Sequence, residues 1–311
     1  MVMIPGIEDE SFRVLSGRAD AGLIVLCDHA SNAMPPEYGT LGLPASELER
    51  HIAYDIGAEG VTRVIAEAFG APAVLSRFSR LLIDPNRGAD DPTLIMRLSD
   101  GAIVPGNRHV DAAERTRRVE RFYNPYHRAI EYVIAECMAS GVVPAILSIH
   151  SFTEAWKGTP RPWHAGILWD RDPRLARPLI SALSALPGLV VGDNQPYKGA
   201  LQGDCMWQHA TARGLVHALV EVRQDLIRSV AGQIEWGERL VAVVDSLRGH
   251  PDLSIVPARS GKRSGAGPIS SRRDATTPET SLSQGAACAT VTRQPHRVAD
   301  VPVMAHKGDA T

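Results

Sequence analysis

The sequence predicts an α/β fold in which helices cover both faces of a mainly parallel, mixed sheet. Short apolar runs, typical of buried strands, alternate with longer segments of helical periodicity over residues 1–257. Strand-like runs occur at 22–27, 71–75, 142–149, 164–169, 188–191 and 215–222, and helical segments at 45–69, 111–139, 173–186, 203–213 and 227–248. Because helical crossovers join parallel strands, we expect one three-layer α/β/α domain with its polar groups at the carboxyl ends of the strands.

The bounds of these elements follow from residues that start and stop regular structure. The run GLIVLC at 22–27 has no polar side chain apart from a thiol, as expected for a strand that is covered on both faces. The helix over 45–69 has an apolar face and stops at Gly70, and the helix over 111–139 starts at Asp111. The same signals place the remaining helices between the later strands.

The composition changes near residue 257. The chain has 311 residues, of which 44% are hydrophobic and 22% charged, so a sizeable core can form. Residues 258–311 are instead rich in Ser, Thr, Gly, Pro and Arg and contain few large apolar side chains. Such a segment cannot bury enough surface to offset the entropy lost on ordering. The sequence therefore predicts a folded domain over 1–257 and a disordered tail over 258–311.

Charge and hydropathy exclude several classes of protein. The net charge is −2, which gives no broad basic surface for nucleic acid or an anionic membrane. The sequence has no apolar run of about 18 residues and no signal-peptide pattern at its start. Its four cysteines form no CxxC pair and suit a reducing compartment. We expect a cytoplasmic protein that acts on a small molecule.

Polar side chains follow several of the predicted strands where each strand ends. His29 comes directly after the first strand, His150 after the third, and Glu221 lies near the end of the strand over 215–222. The second strand leads into the segment SRLLIDPNR at 79–87. A neutral imidazole held by a strand is a good zinc ligand. The two histidines, the glutamate and the arginine-rich segment together predict a metal-dependent active site.

Asp55 is a candidate for the third metal ligand. It follows His51 by four residues in the predicted helix, so that the two side chains would share one helix face. Asp55 could instead be an ordinary solvated carboxylate of that helix. His51 is a weaker candidate for a ligand, or could orient the ligand carboxylate.

The chain resembles the N-formylglutamate amidohydrolase family over roughly residues 20–245. The resemblance lies in the segments LCDHASNAMP, ERHIAYDIGAEGV, SRLLIDPNR, LSIHSF, VGDNQPY and VEVRQDLI, which occur in this order. It implies a fold similar to that of the zinc exopeptidases of the carboxypeptidase and aspartoacylase group (the phosphorylase/hydrolase-like fold) and of zinc-dependent cell-wall amidases.

The resemblance also implies a metal site. Aspartoacylase-like enzymes begin it with a His-x-x-Glu pair, but Asn32 stands at the fourth position here and is a poor zinc ligand. The cell-wall amidases offer a closer pattern, on which His29, Asp55 and His150 are the ligands. Three protein ligands and an open fourth position are typical of catalytic zinc. Zn²⁺ is the expected ion, and Mn, Fe or Co would also suit these donors.

The remaining roles follow from the same resemblance. Glu221 matches the general base, although it could simply pair with Arg223 at a sheet edge. Arginines of the SRLLIDPNR segment would bind substrate carboxylate and polarise the scissile carbonyl, a role that falls to Arg80. The residues expected to bind substrate are Arg80, Asp84, Asn86, Arg87 and Arg223. Among these, Asp84 would orient an arginine, and the alternative for the segment is a turn held by Arg–Asp pairs.

The reaction that the resemblance implies is hydrolysis of N-formyl-L-glutamate to formate and L-glutamate. Two alternatives keep the metal chemistry: a zinc carboxypeptidase, or a deacylase of other N-acyl amino acids. A third is a protein that binds acidic metabolites without catalysis, and a fourth makes the basic tail the functional part. We expect a small acidic molecule as partner, with neither nucleic acid nor membrane, and the sequence leaves the oligomeric state open.

Overall fold

An eight-stranded mixed sheet runs through the centre of the protein. The computed structural model describes residues 2–254. The strands are β1 (Met3–Ile4), β2 (Ile7–Glu8), β3 (Phe12–Leu15), β4 (Gly17–Arg18), β5 (Leu23–Cys27), β6 (Ala73–Ser76), β7 (Leu98–Ser99), β8 (Ala102–Ile103), β9 (Ala145–Phe152), β10 (Ala155–Trp156), β11 (Thr159–Pro160), β12 (Ala165–Leu168), β13 (Val191–Asp193) and β14 (His217–Arg223). The order in the large sheet is β13-β12-β14-β9-β5-β6-β3-β2.

The middle of this sheet is parallel. Strands β14, β9, β5 and β6 run in one direction, and β13 runs parallel to β12. Antiparallel pairs join β12 to β14, β3 to β6 and β2 to β3. The prediction of a mainly parallel, mixed sheet is therefore confirmed, and the carboxyl ends of four neighbouring strands meet at one edge.

Helices cover both faces of the sheet. They are α1 (Ala58–Phe69), α2 (Ala112–Arg118), α3 (Asn124–Ala139), α4 (Pro173–Ser184), α5 (Cys205–His209) and α6 (Val230–Ser246). Successive residues of β5 alternate between the faces. Leu23 and Val25 belong to an apolar cluster that includes residues of α1, α4 and α6, whereas Ile24 and Leu26 belong to a cluster that includes residues of α3. The three-layer arrangement is thus built by strands that are apolar on both sides.

The predicted helix over 45–69 is wrong in its first half. Residues Ala45–Glu49 form a short 3₁₀ turn, and α1 begins only at Ala58. Gly57 precedes it at φ 82°, and a Cβ atom there would lie 2.1 Å from the carbonyl oxygen of Ile227. A glycine in a left-handed conformation separates the preceding turns from the helix. Asp55 consequently lies in a loop and shares no helix face with His51.

Other bounds differ from the prediction by smaller amounts. Strand β9 continues to Phe152, so that His150 lies within the strand. The segment 203–213 splits into α5 and a 3₁₀ turn at Thr211–Arg213, and a π-helical turn at Val119–Tyr123 joins α2 to α3. The predicted tail over 258–311 lies outside the described residues. Within residues 2–254, no helix has the length and apolar character needed to cross a bilayer.

Candidate metal centre and active site

Three buried side chains meet at the carboxyl edge of the sheet. His29 follows β5, Asp55 lies in the loop before α1, and His150 is in the neighbouring strand β9. The Oδ2 atom of Asp55 lies 3.3 Å from His29 Nδ1 and 2.8 Å from His150 Nδ1. The three donor atoms lie within 4.8 Å of one another, which is the spacing of a group that could hold a metal ion. Ligands of a tetrahedral zinc stand about 3.3 Å apart, so only small shifts are needed.

The other nitrogen of each imidazole ring faces a second carboxylate. His29 Nε2 lies 2.8 Å from Asp84 Oδ1, and His150 Nε2 lies 3.0 Å from Asp28 Oδ2. A carboxylate only accepts, so with a cation between Nδ1 and Asp55 each ring would be neutral and its Nε2 atom would donate to the second carboxylate. Metal-binding histidines in proteins are oriented in this way, so the donor set fits a divalent cation.

Asp28 is a residue of the candidate site that the sequence analysis did not single out. It is fully buried and also accepts hydrogen bonds from Tyr126 Oη at 2.7 Å and from Ser148 Oγ at 3.2 Å. The only sequence signal was an aspartate that directly precedes His29 at the end of an apolar strand. The contact to His150 joins residues 122 positions apart and could not be read from spacing.

The electrostatics of these residues also favour a bound cation. Burial by itself would raise the pKa of Asp28, Asp55 and Asp84, but neighbouring His and Arg side chains outweigh it, and all three values lie below the ordinary range. Burial would lower the pKa of His150, but its bonds to Asp28 and Asp55 raise it. Three buried carboxylates thus require positive charge, which a divalent ion on neutral imidazoles would supply.

Glu221 lies beside this group in a different electrostatic state. Its register partner across β14 and β9 is His150, and both side chains line one cavity. Burial, reinforced by Asp55 and opposed by His150, raises the pKa of Glu221 to about 7. Its Oε2 atom has no hydrogen-bond partner among the described residues. A carboxylate that is unpaired and titrates near neutral pH is suited to accept and return a proton.

Arg80 lies between Asp84, which faces His29, and Asp55. Its Nη2 atom donates to Asp84 Oδ2 at 2.7 Å, and its Nη1 atom lies 3.6 Å from Asp55 Oδ1. Arg80 lines the cavity, whereas the side chain of Asp84 is completely buried. Asp84 therefore orients Arg80 and His29 and has no surface with which to touch a substrate.

The other residues predicted to bind substrate divide into two groups. Asn86 and Arg87 line the cavity, and Arg87 is held by the carbonyl oxygen of Asn86 at 2.8 Å. Arg223 does not reach the cavity, because its guanidinium pairs with Asp225 at 2.7 Å and donates to the carbonyl oxygens of Arg161 and Trp163. Alternation along the strand suggested that Arg223 shares the sheet face of Glu221. Arg223 is, however, the last residue of β14, where this alternation ends.

The two alternative metal ligands lie elsewhere. His51 lines the cavity, but its Nε2 atom lies 3.3 Å from Asp100 Oδ2 and it is not part of the three-ligand group. Asn32 donates to the carbonyl oxygen of Leu48 at 2.9 Å. The loop before α1 brings Asp55 to the site instead.

The cavity around the group has a volume of about 350 Å³. Three tryptophans that the sequence analysis did not assign, Trp156, Trp169 and Trp207, line it together with Tyr197 and Lys198. They come from the segments after β9, β12 and β13 and from α5, so only the tertiary fold brings them together. The site therefore combines a polar metal centre with an aromatic wall.

A second buried group lies behind the first. His127 Nδ1 and His209 Nε2 are 2.7 Å apart, with the rings stacked, and Cys205 lies close enough to complete a set that could hold a metal. Burial lowers the pKa of His127 to about 4 and that of His209 to about 3. Both imidazoles are neutral at pH 7, and the short contact is a hydrogen bond between them.

A comparison with known protein families gives a match over most of the described residues. The family model for N-formylglutamate amidohydrolase matches residues 21–228, which include the three grouped ligands and Glu221. The chain belongs to the N-formylglutamate amidohydrolase family. The resemblance in its sequence motifs is thereby confirmed, and the protein is a member of a family of amidohydrolases.

Two solved structures are similar to this member of the family. The Agrobacterium tumefaciens gene product Atu2144 is 34% identical, with a TM-score of 0.72 over 76% of this chain and 94% of that one. The N-formylglutamate amidohydrolase of Ralstonia eutropha JMP134 is 21% identical, with a TM-score of 0.58 over 77% of this chain and 99% of that one, and at this identity the likeness shows the fold alone. No curated protein matches the chain.

Proposed function

We propose that this protein hydrolyses the amide bond of a small N-acyl amino acid in a metal-dependent reaction. N-formyl-L-glutamate, cleaved to formate and L-glutamate, is the substrate that the family indicates. The observation that carries the proposal is the convergence of His29, Asp55 and His150 beside the unpaired carboxyl group of Glu221.

His29, Asp55 and His150 would hold the metal, and Zn²⁺ suits two imidazoles and one carboxylate. When bound, a divalent metal supplies a Lewis acid for the acyl oxygen and lowers the pKa of water. Glu221, in its carboxylate form, takes a proton from the attacking water and returns it to the nitrogen of the leaving amine. Formate or another acid and the free amino acid are the products.

Arg80 and Arg87 would bind the substrate carboxylate. Both line the cavity, and a guanidinium matches a carboxylate with two parallel hydrogen bonds. Asp84 orients Arg80 through its 2.7 Å contact, so the guanidinium is held in place before substrate arrives. Asn86 accepts from the backbone N–H of Cys205 and fixes the loop that presents Arg87.

The test is the release of formate from N-formyl-L-glutamate by the full chain, with and without a chelator. The variants are Glu221→Gln and His150→Ala, and Glu235→Gln on the exposed face of α6 is the matched control. Chelator-sensitive release that falls at least 100-fold in both variants and persists in the control would support the proposal. A metal-replete protein that cleaves neither this compound nor any other N-acyl amino acid would contradict it. Binding of glutamate derivatives without turnover would instead favour a binding protein.

A further inference from the structure

The cavity extends away from the metal centre along strand β14. His217, Leu219 and Glu221 are alternate residues of this strand, so their side chains point to one face, and all three line the cavity. Glu221 lies opposite the metal ligand His150, whereas His217 is four residues earlier. At about 3.3 Å per residue, the cavity reaches roughly 13 Å from the position of the proposed base.

Large apolar side chains form much of the wall of this extension. Leu168 in β12 is the register partner of Leu219, and Met206 and Trp207 of α5 complete the lining. Leu168, Met206 and Leu219 keep only 5–7% of their surface exposed. We call this part of the cavity, formed by Leu168, Met206, Trp207, Leu219, Thr211 and His217, the β14 compartment.

The far end of the β14 compartment offers no cation for an acidic group. His217 Nδ1 donates to the carbonyl oxygen of Leu215 at 2.8 Å, and its Nε2 atom lies 3.0 Å from Thr211 Oγ1, so both ring nitrogens have partners. Asp170 follows β12 and Asp204 precedes α5, and both line the cavity. Neither acid would attract a carboxylate, whereas an apolar group would bury the leucines and the methionine.

The cationic side chains that line the cavity belong to other segments. Arg80 and Arg87 lie in the loop after β6, and Lys198 lies after β13. Arg80 is partly neutralised by Asp84. One substrate carboxylate therefore has a binding site next to the metal centre, while a group directed into the β14 compartment meets apolar walls.

We propose that the β14 compartment binds an apolar substituent of the substrate, about four to six carbons long. The inference rests on the proposed amide hydrolysis, and the substituent is either the acyl chain or the side chain of the amino acid. N-formyl-L-glutamate meets the needs of the metal centre but leaves the β14 compartment unfilled. Each methylene buried there raises kcat/KM about fourfold, so better substrates than N-formyl-L-glutamate exist.

The experiment compares kcat/KM of the metal-replete full chain for N-formyl-L-glutamate, N-hexanoyl-L-glutamate and N-formyl-L-norleucine. We expect at least a tenfold advantage for one of the two extended compounds, and the favoured one identifies which substituent enters the compartment. Leu219→Phe should reduce that advantage to less than threefold. Met96→Phe adds volume elsewhere in the cavity wall and should preserve it. Equal values for all three substrates, or a preference for N-formyl-L-glutamate, would overturn the inference.

A binding measurement separates this inference from the proposed function. Trp207 lines the compartment, so occupation should change tryptophan fluorescence more in the native chain than in Trp207→Phe, where Trp156 and Trp169 remain in the cavity wall. One outcome is that no compound is hydrolysed, but N-hexanoyl-L-glutamate or N-formyl-L-norleucine binds at least tenfold more tightly than N-formyl-L-glutamate. That result would contradict the proposed reaction and support the apolar binding role of the β14 compartment. Equal affinities for all three compounds would contradict the proposed binding role of the β14 compartment, whatever the hydrolysis assay shows.

Discussion

The Nε2 atom of His150 lies 3.0 Å from Oδ2 of Asp28, on the side of the imidazole ring opposite Asp55. Asp28 thus fixes the ring so that Nδ1 faces Asp55 and the proposed metal site. The charge of Asp28 also makes the imidazole more basic, and therefore a better electron-pair donor to a metal ion. Since Asp28 is held by Tyr126 and Ser148, the orientation of His150 depends on a buried network behind the site.

We therefore expect Asp28→Asn to weaken metal binding by about 10- to 100-fold while leaving the three ligands in place. The amide cannot accept from His150 with the strength of a carboxylate. Competition with a fluorescent zinc chelator measures the dissociation constant, and Glu235→Gln provides a control for the loss of one negative charge. An unchanged affinity in Asp28→Asn would show that Asp28 does not act through His150.

Glu221 should destabilise the metal-free protein at alkaline pH. Its pKa is about 7 in the folded protein and near 4.5 in the unfolded chain, so the folded state holds the proton more tightly between these values. The free energy of unfolding consequently falls as pH rises from 4.5 to 7, by a few kcal/mol in all. Glu221→Gln removes this penalty, because the amide stays neutral.

Urea unfolding of the metal-free protein at pH 4.5 and pH 8 tests that prediction. We expect Glu221→Gln to be more stable than the native chain at pH 8, with a smaller difference at pH 4.5. Added zinc should stabilise the native chain, since it binds the assembled ligands of the folded state more tightly than those of the unfolded chain. A variant that is less stable at both pH values would indicate that the carboxylate makes stabilising contacts.

The buried pair of His127 and His209 predicts a loss of stability in mild acid. The pKa values of about 4 and about 3 lie below the ordinary value near 6.5, so the unfolded chain binds protons that the folded one does not. Stability should be full above pH 6.5 and should fall as pH drops towards 4. His209→Gln should make this pH dependence shallower in urea unfolding between pH 7.5 and 5. His109→Gln, at an exposed position, should leave the slope unchanged, and an equal change in both variants would contradict the assignment.

Gly57 should be intolerant of a side chain because the backbone of another loop lies against it. It has φ 82°, and a Cβ atom would lie 2.1 Å from the carbonyl oxygen of Ile227. Gly214 has φ 65° with open space around it, so Gly214→Ala isolates the cost of the left-handed conformation, about 1–2 kcal/mol. We expect Gly57→Ala to lower the free energy of unfolding by more than Gly214→Ala, and to weaken zinc binding because Asp55 is two residues away. Equal effects of the two variants would mean that the close approach to Ile227 is relieved at no cost.

The sequence by itself determined the class of fold, the family, and four side chains that meet at the site. Uninterrupted apolar runs predict the buried strands. His29 and His150 lie near the carboxyl ends of two of these strands. Because parallel strands end at one edge of a sheet, the two side chains were expected to lie close together. Asp55 was named, but the predicted helix around it was wrong. Local periodicity over 45–69 favoured a helix, whereas the approach of Gly57 to Ile227 decides where α1 begins.

Only the tertiary structure decided the partners of these residues. The contacts of Asp28, the aromatic wall of the cavity and the β14 compartment all join segments that are far apart in the chain. Local propensity carries no information about such contacts. Arg223 shows that local sequence can also place a residue in the site incorrectly. Its strand and spacing suggested the cavity, but Asp225 and two backbone carbonyl oxygens hold its guanidinium elsewhere. A strand fixes the face on which a side chain starts, and the hydrogen bonds available in the folded protein decide where a long side chain ends.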